Sequence, residues 1–363
     1  MRWVVVGNAE NRRVRLFTDA ARAAGLPAPR IVAWQSVLAD GGHDLADDEI
    51  VRLDSPGENP AVDRLLRGVA EPTRVEGSAR WYTNFLAAVD TLRGGVRLDD
   101  PAELAVLFDK RRCHARLRAA AVPVPPSPVT APIRGWTDVR DQMRAAGMAR
   151  VFVKLAHGSS ASGVLAIEST AAGRWQATTS VERDAGGALH NSLRVRRYRD
   201  EREIAAIVDR LAPDGLHLER WIPKATTAGR SADLRVVVVA GRATHAVVRT
   251  SRGPLTNLHL GGARGDLTEV MAAAGPAWDE AMRICERAAA CFPGTLCVGV
   301  DLLPGLGWRR FTVGEVNAFG DLLPGLTGLP GTPGEGLDTY ATQLAAAPGF
   351  VTGAPAPVPI GAR

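Results

Sequence analysis

The chain has 363 residues, of which 46% are hydrophobic and 23% are charged, and its formal net charge at pH 7 is +5. This composition is typical of a globular protein of roughly two or three domains, and no uninterrupted apolar stretch approaches the ~20 residues that a membrane span needs. The basic residues are spread widely and lack the interleaved aromatic side chains of a single-strand binding platform, so we expect neither a nucleic acid nor a membrane as partner.

The four cysteines show no C-x-x-C spacing, which argues against a zinc site and a disulfide framework and favours reduced thiols. The first apolar run, residues 3–6, is too short for the core of a signal peptide and predicts a strand instead. We therefore expect a cytoplasmic location.

The first hundred residues predict an α/β domain with a small parallel sheet. The turn after the first strand, Gly7-Asn8-Ala9-Glu10-Asn11, is not G-x-G-x-x-G, so it does not support dinucleotide binding. The predicted elements here are a strand over residues 3–6, a helix over 12–24 and a strand over 31–34.

A helix predicted over residues 101–121 leads into a proline-rich segment, 122–128, which favours an extended connector between domains. Beyond it, strands and helices follow an α+β pattern. After residue 326 the chain becomes rich in glycine and proline, with one further helix over 338–346. The predicted strands are 151–155, 163–167, 216–219, 234–239, 245–250, 297–303 and 309–316, and the predicted helices are 136–146, 201–211 and 277–290.

Only three of the 44 basic residues are lysines, namely Lys110, Lys154 and Lys224. Lysine ends in a compact charge that suits a single phosphate oxygen in a tight site. Lys154 ends a predicted strand and precedes a loop of small residues, 157–163, whose backbone N–H groups and hydroxyls can cover phosphate oxygens. The loop lacks the G-x-x-x-x-G-K-[ST] pattern of a Walker loop, and the alternative is that a compositional bias toward arginine left three lysines by chance.

Acidic and amide side chains occur on two predicted strands joined by a Pro/Gly turn. Asp301 lies on the first strand, and Glu315 and Asn317 share a face of the second because side chains of a strand alternate. Three oxygen ligands, two of them anionic, suit Mg²⁺ whose shell is completed by phosphates and water. The alternative is a strand-end aspartate and a turn asparagine with structural roles only.

Two arginines are candidates for stabilising a transferring phosphoryl group. Asp233 and Arg235 share a face of one strand and Arg249 ends the next, so Arg235 and Arg249 can approach the same group, unless both are surface residues. Asn257, in a turn with two glycines, orients a phosphate or caps the turn. The basic cluster at residues 194–199 is either a solvated strand face or a channel for an acidic substrate.

Taken in order, these segments resemble the ATP-grasp superfamily over about residues 102–326, and most resemble its glutathione-synthetase and ribosomal-protein glutamate-ligase type. The motifs that carry the resemblance are Asp109-Lys110, Phe152-Val153-Lys154, Glu219-Arg220-Trp221-Ile222, Asp233-Leu234-Arg235, Arg249, Asn257-x3-Gly261-Gly262, Asp301 and Glu315-x-Asn317.

The resemblance implies a fold with a parallel-sheet domain before the ATP-grasp part, a small lid subdomain and an antiparallel-sheet subdomain. The expected domains are 1–100 (N-terminal α/β), 101–215 (linker helix and lid), 216–330 (C-terminal subdomain with the metal site) and 331–363 (terminal helix and Pro/Gly-rich tail).

The resemblance also implies ATP and Mg²⁺, with Mn²⁺ as a possible substitute, and it assigns roles to residues. Lys110 and Lys154 contact nucleotide phosphates, and Glu219 with the backbone of Trp221 and Ile222 holds adenine. The family often has a second acidic residue near the ribose, for which Asp233 is the one candidate in this sequence. The remaining predicted nucleotide-binding residues are Ser159, Ser160, Gly163 and Arg220; the metal ligands are Asp301, Glu315 and Asn317; and the catalytic residues are Arg235, Arg249 and Asn257. Lys224 is counted with the nucleotide-binding residues, but it has no clear counterpart in the family and reaches either the nucleotide or the substrate.

The implied reaction is phosphorylation of a carboxylate by ATP to an acyl phosphate, followed by attack of an amine. The carboxylate and the amine belong to small molecules or to peptides, and a homodimer is common in the family. Two alternatives stay open: a phosphotransferase acting on a hydroxyl, and a nucleotide-binding regulator without catalysis.

Overall fold

The computed structural model describes residues 2–129, 131–159, 161–170 and 172–353, apart from the side chain of His259. In this part of the chain a parallel sheet and two larger antiparallel sheets form, with helices packed on them, which confirms the predicted fold class. Among the same residues, no helix combines the length and apolar character needed to cross a bilayer.

The first unit is an open parallel sheet with the strand order β2-β1-β4-β6. Its central strand is an apolar run whose valines are fully buried, and the first helix packs Val14 and Phe17 into the core. The Asn11 side chain caps that helix by accepting the N–H of Arg13 at 3.1 Å. The elements are β1 (Arg2–Gly7), α1 (Arg12–Ala23), β2 (Arg30–Ala33), α2 (Trp34–Asp40), β3 (His43–Asp44), β4 (Glu49–Leu53), α3 (Pro60–Arg67), α4 (Ser78–Asp90), β5 (Leu92–Arg93), β6 (Val96–Arg97) and α5 (Pro101–Leu107).

The single helix predicted over residues 101–121 is wrong, because the chain forms two helices there. The α5 helix ends at Leu107, and α6 (Lys110–Ala119) starts after Asp109, whose carboxylate accepts the N–H groups of Arg111 at 2.9 Å and Arg112 at 3.4 Å. Such a cap favours a new helix start over continuation. Lys110 therefore occupies the first position of a helix.

The second unit is an antiparallel sheet with the order β10-β9-β8-β7-β11, and α7 and α8 cover its apolar face. The strand at residues 216–220 pairs with β7. The predicted domain boundary after residue 215 therefore separates this strand from the sheet in which it pairs. The elements are α7 (Trp136–Ala145), β7 (Arg150–Leu155), β8 (Leu165–Ser169), β9 (Trp175–Arg183), β10 (Leu189–Tyr198), α8 (Glu201–Leu211) and β11 (Leu216–Arg220).

The third unit is an antiparallel sheet with the order β15-β14-β13-β16-β17, and β12 pairs with β13. Both faces of β13 are buried: Val236 and Val238 pack in a cluster with α10, and Val237 and Val239 pack with α11 and Trp3. This packing ties the third sheet to the first unit. The elements are β12 (Thr226–Thr227), β13 (Arg230–Val239), β14 (Arg242–Ser251), β15 (Ala263–Arg264), α9 (Leu267–Ala274), α10 (Ala277–Ala290), β16 (Cys297–Pro304), β17 (Phe311–Asn317) and α11 (Thr339–Thr352).

Candidate active site

A cavity of about 160 Å³ that opens to solvent lies between the second and third sheets. Most of the residues predicted from the sequence line it, although they come from distant parts of the chain. Those residues are Lys110, Lys154, Glu219, Arg220, Ile222, Lys224, Asp233, Arg235, Arg249, Asn257, Asp301, Glu315 and Asn317.

The three predicted metal ligands meet on the wall of the cavity formed by β16 and β17. Asp301 is paired with Glu315 in the strand register, and Asn317 lies two residues further on the same face. The Asn317 side chain donates its Nδ2 to the carbonyl of Gly299 at 3.2 Å, which leaves the amide oxygen as its other polar atom. Two carboxylates and an amide oxygen form a donor set that suits Mg²⁺.

Arg235 and Arg249 both bind the carboxylate of Asp301. The Nε of Arg235 lies 2.5 Å from Oδ1 and the Nη2 of Arg249 lies 3.1 Å from the same oxygen. Burial alone would favour the neutral acid, but the two guanidinium charges outweigh it and hold the pKa of Asp301 well below its usual range. Arg249 also binds Asp233, with its Nε 2.7 Å from Oδ1. The arginines are thus cavity residues, and the surface alternative does not hold.

The two lysines predicted to bind phosphate, Lys110 and Lys154, each contact a carboxylate. The Nζ of Lys110 lies 2.7 Å from Oε1 of Glu315 and donates to the carbonyl of Gly158 at 2.5 Å. The Nζ of Lys154 lies 2.5 Å from Oε1 of Glu219. Burial opposes the charge of Glu219, but Lys154 and a hydrogen bond from His217 prevail and lower the pKa of Glu219 to about 2.

Lys224 reaches the cavity from the segment that joins the two sheets. Its Nζ lies 3.0 Å from Oγ1 of Thr256 and 3.5 Å from both Oδ2 of Asp233 and the carbonyl of Pro254. Burial lowers its pKa from the ordinary lysine value, with Asp233 acting in the opposite sense. Thr256, which the sequence reasoning missed, also donates to Asp233.

Asn257 begins a tight turn at the cavity mouth. Its carbonyl accepts the N–H groups of Leu260 at 3.0 Å and Gly262 at 3.3 Å. A Cβ at position 262 would lie 2.7 Å from that carbonyl oxygen, so only glycine fits this approach. The glycine therefore allows the turn that places Asn257 on the cavity wall.

The residues predicted to contact adenine differ in their position relative to the cavity. Glu219 is buried and bound to Lys154 and His217. The N–H of Trp221 donates to the carbonyl of Arg150 at 3.1 Å, and Trp221 lies outside the cavity lining. Because the N–H of Trp221 is already bound, the predicted contact of adenine with the Trp221 backbone would have to use the Trp221 carbonyl. Ile222 lines the cavity.

The sequence reasoning missed the apolar part of the cavity. Phe152 lies two residues before Lys154 on β7, and Leu303 lies two residues after Asp301 on β16, so each shares the face of a predicted polar residue. The two-residue spacing from Lys154 and from Asp301 could therefore have identified both apolar residues in the sequence. The further apolar lining residues are Ala161, Val164, Pro254 and Leu255.

The predicted phosphate loop contributes residues other than those expected. Gly158 and Ser162 line the cavity, whereas Ser159 and Gly163 do not, and Ser160 lies outside the described residues. The basic cluster at 194–199 lies on the edge strand β10 and is largely exposed, as the solvated-face alternative predicts, and none of its residues lines the cavity.

No protein-family model and no curated protein matches the chain. Solved structures do. D-cycloserine synthetase DcsG matches with a TM-score of 0.57 and 18% identity, over 96% of this chain and 99% of that chain. The ATP-grasp ligase PsnB, complexed with a minimal precursor, matches with a TM-score of 0.54 and 17% identity, over 96% and 99%. N5-carboxyaminoimidazole synthase from Aspergillus clavatus, in complex with ADP, matches with a TM-score of 0.53 and 11% identity, over 98% and 78%.

The chain has the ATP-grasp fold. In this ATP-grasp fold, the cavity between the second and third sheets is lined by both acidic and basic side chains. Among the described residues that line it, the acidic side chains are Glu219, Asp233, Asp301 and Glu315, and the basic ones are Lys110, Lys154, Arg220, Lys224, Arg235 and Arg249.

A metal in this ATP-grasp cavity would have two carboxylates and one amide as protein ligands. In the described part of the chain, no group of three or more His, Cys, Asp or Glu side chains could hold a metal ion by itself. The chemistry of Asp301, Glu315 and Asn317 nevertheless fits a hard cation whose other ligands are phosphate oxygens. The residues present thus fit Mg²⁺ accompanied by a nucleotide.

Proposed function

We propose that the protein is an ATP-dependent ligase that activates a carboxylate as an acyl phosphate and couples it to an amine, releasing ADP and phosphate. The observation that carries the proposal is the meeting of Asp301, Glu315 and Asn317 with lysines and two arginines in one cavity. The named relatives of the same fold include ligases, which supports the ligase class over others.

The charges of the cavity support a nucleotide that arrives with a metal. The basic side chains that line it in the described structure exceed the carboxylates by two. An ATP triphosphate carries about four negative charges, so a divalent cation is needed to complete the balance. Mg²⁺, with Mn²⁺ as a substitute, would be held by Asp301, Glu315 and Asn317, and when bound it would neutralise charge on the phosphates.

The side chains of the chain itself supply binding and orientation. The adenine ring would lie in the apolar part between Phe152 and Leu303, and Lys110 and Lys154 would hold phosphate oxygens. Arg235 and Arg249, fixed by Asp301, would bind the phosphoryl group as its charge develops during transfer. Such a site accelerates the reaction by positioning and electrostatics, and it needs no covalent nucleophile.

The test is to incubate the protein with Mg-ATP, hydroxylamine, the twenty amino acids and a set of short acidic peptides, and to analyse products by mass spectrometry. A hydroxamate formed by the wild type, and absent with Glu315→Gln, supports the acyl phosphate and names the carboxylate. A stable phosphate ester without hydroxamate would make the protein a phosphotransferase. ATP binding without Mg-dependent ADP release would make it a regulator.

A further inference from the structure

A buried cluster of charges lies at the carboxyl edge of the first sheet, outside the cavity. Arg52, near the end of β4, is only 5% exposed, and its guanidinium lies 4.9 Å from the ring centre of Phe17 and 5.4 Å from that of Tyr340. It donates to Oδ2 of Asp321 at 2.8 Å and to the side chain of Gln343. The cluster therefore connects α1, β4 and α11.

Asp321 is the centre of this cluster. Besides Arg52, the carboxylate binds Arg13, whose Nη1 lies 2.5 Å from Oδ1, and Gln343, whose Nε2 lies 3.0 Å from Oδ2. Its backbone carbonyl accepts the hydroxyl of Thr339 at 2.8 Å. Asp321 follows the metal-ligand strand β17 by four residues, so the first unit and α11 together fix the segment that leaves the metal site.

The same segment contacts the candidate catalytic arginine. The carbonyl of Gly320, next to Asp321, accepts a hydrogen bond from Nη1 of Arg235 at 3.3 Å. A Cβ on Gly320 would lie 2.5 Å from the Cα of Gly299, so the segment is also packed directly against β16. A single peptide unit thus separates the buried cluster from the side chain that binds Asp301.

Stability alone is a poor explanation for this cluster. Asp54 belongs to the same cluster, since its Oδ2 lies 3.7 Å from Nη2 of Arg52. Within the described structure, three buried polar atoms of the cluster, Arg52 Nε, Asp54 Oδ2 and the Tyr340 hydroxyl, make no hydrogen bond to another protein group. Such atoms are costly to bury, and buried ion pairs are often no more stabilising than well-packed apolar residues. Apart from stability, a buried network of ion pairs fixes the position and orientation of the side chains that it joins.

We propose that Asp321 is a positioning residue: bound by Arg13 and Arg52 of the first unit, it holds the Gly320 carbonyl where that carbonyl orients Arg235. This role rests on the proposed function, because Arg235 acts on the phosphoryl group only in that reaction. If Asp321 has this role, Arg235 is correctly oriented in the cavity only when the first unit is packed against the segment that contains Asp321.

The test compares Asp321→Asn, which keeps the shape and removes the charge, with Glu103→Gln as a control. Glu103 is also a buried carboxylate that ties two parts of the chain, since it accepts the N–H of Gly294 at 3.0 Å and the hydroxyl of Thr295 at 2.7 Å. The described contacts of Glu103 include none to Arg235 or to Gly320.

With the carboxylate identified by the hydroxamate assay, Asp321→Asn is expected to lower kcat at least about tenfold, because small misplacements of catalytic groups are costly. The KM for ATP should stay within about twofold, since the nucleotide contacts are intact. Glu103→Gln should lower Tm without this loss of kcat. Equal kcat values for the two variants would overturn the proposal.

A second arm places Asp321→Asn in an Arg235→Lys background. If Asp321 acts through Arg235, the two losses in kcat are strongly non-additive, and additive losses would contradict the proposal. Should Asp321→Asn fail to fold, Arg13→Gln replaces it, because the side chain of Arg13 is 14% exposed and is the outer partner. The expected result for Arg13→Gln is a smaller loss of the same kind.

Amide hydrogen exchange of residues 315–323 separates this proposal from the proposed function. Exchange should rise in Asp321→Asn and stay at the wild-type level in Glu103→Gln, whatever reaction the protein performs. If the wild type forms no hydroxamate but this difference appears, the ligase reaction fails and the structural link survives. Unchanged exchange in Asp321→Asn would overturn the link itself.

Discussion

Asp301 has two roles in the cavity, because it is a predicted metal ligand and also binds both Arg235 and Arg249. We expect Asp301→Asn to lower Mg-dependent ATP turnover by about 10²–10³-fold, since it weakens the metal site and releases the arginines. ADP release measured across a magnesium titration tests this. Asp266→Asn, at the exposed cap of α9, is the control. Undiminished turnover by Asp301→Asn would contradict the assigned role.

Glu219 makes stability depend on pH. Its pKa in the folded protein is about 2, below the ordinary value of 4.5, so its ionised form stabilises the fold above about pH 4.5 and this contribution is lost as the pH falls toward 2. Glu219→Gln should therefore cost about 3 kcal/mol of unfolding free energy at pH 7 and much less at pH 3. Urea denaturation at both values measures it. A pH-independent difference would show that packing is responsible.

The control for Glu219 is Glu280→Gln on the exposed side of α10, where Arg283 and Arg287 are the partners. Exposed ion pairs contribute little because water screens them, so the stability of this variant should follow the wild type at both pH values.

At the residue scale, the sequence predicted types of residue better than their contacts. The spacing of Asp301, Glu315 and Asn317 predicted their shared face because strand periodicity is local. It did not predict that Arg235 lies across from Asp301, since that depends on which strands become neighbours. Thr256 and Phe152 were missed because neither a hydroxyl nor an aromatic ring on a strand is distinctive alone.

The start of α6 carries Lys110, a predicted nucleotide-binding residue. Asp109 caps this helix, and the next residue is Lys110. Asp109→Ala should lower the unfolding free energy by about 1 kcal/mol and weaken nucleotide binding, whereas Asp109→Asn should preserve most of both, because asparagine caps well. Urea denaturation and titration with Mg-AMPPNP measure the two effects. Equal behaviour of the two variants would exclude capping as the cause.

Two strands of the second sheet, β9 and β10, were not among the strands predicted from apolar runs, and they share a physical reason. β9 is rich in threonine and serine at its centre, and β10 carries successive arginines, so neither shows the apolar alternation on which strand prediction depends. Their strand form comes from pairing with β8 and with each other. The strands of the third sheet were predicted because β13 and β16 are almost continuously apolar.

At the scale of the whole molecule, the cavity lies between two sheets that have separate cores. A ligand that binds both sheets stabilises the folded chain by mass action, by about 2.7 kcal/mol at a concentration of 100 times Kd. Mg-AMPPNP should therefore raise the Tm of the wild type by a few degrees, and the rise should shrink in Glu315→Gln. A thermal shift that is the same without magnesium would contradict the metal site.

The order of motifs along the chain predicted the ATP-grasp fold through its resemblance to that superfamily, and most of these motifs contribute residues to one cavity. Domain limits were harder to predict. The segment at 216–220 precedes the third sheet in sequence but pairs with β7 of the second, and no local feature of Leu216-His217-Leu218 reveals this partner. Long-range pairing, unlike periodicity, is settled only when the sheets assemble.

The carboxylates that bind Lys110, Lys154 and Arg249 act as built-in competitors for those cations. An incoming anion must displace them, so its affinity is the difference between two sets of ion pairs. When a lone phosphate or sulfate binds, it replaces one carboxylate as the partner of a lysine or arginine with an anion of similar strength, so little binding free energy is gained. A polyphosphate that brings its own metal exchanges several partners at once and gives the displaced carboxylates a new cation. We therefore expect the cavity to bind a metal-bound polyphosphate in preference to a simple anion.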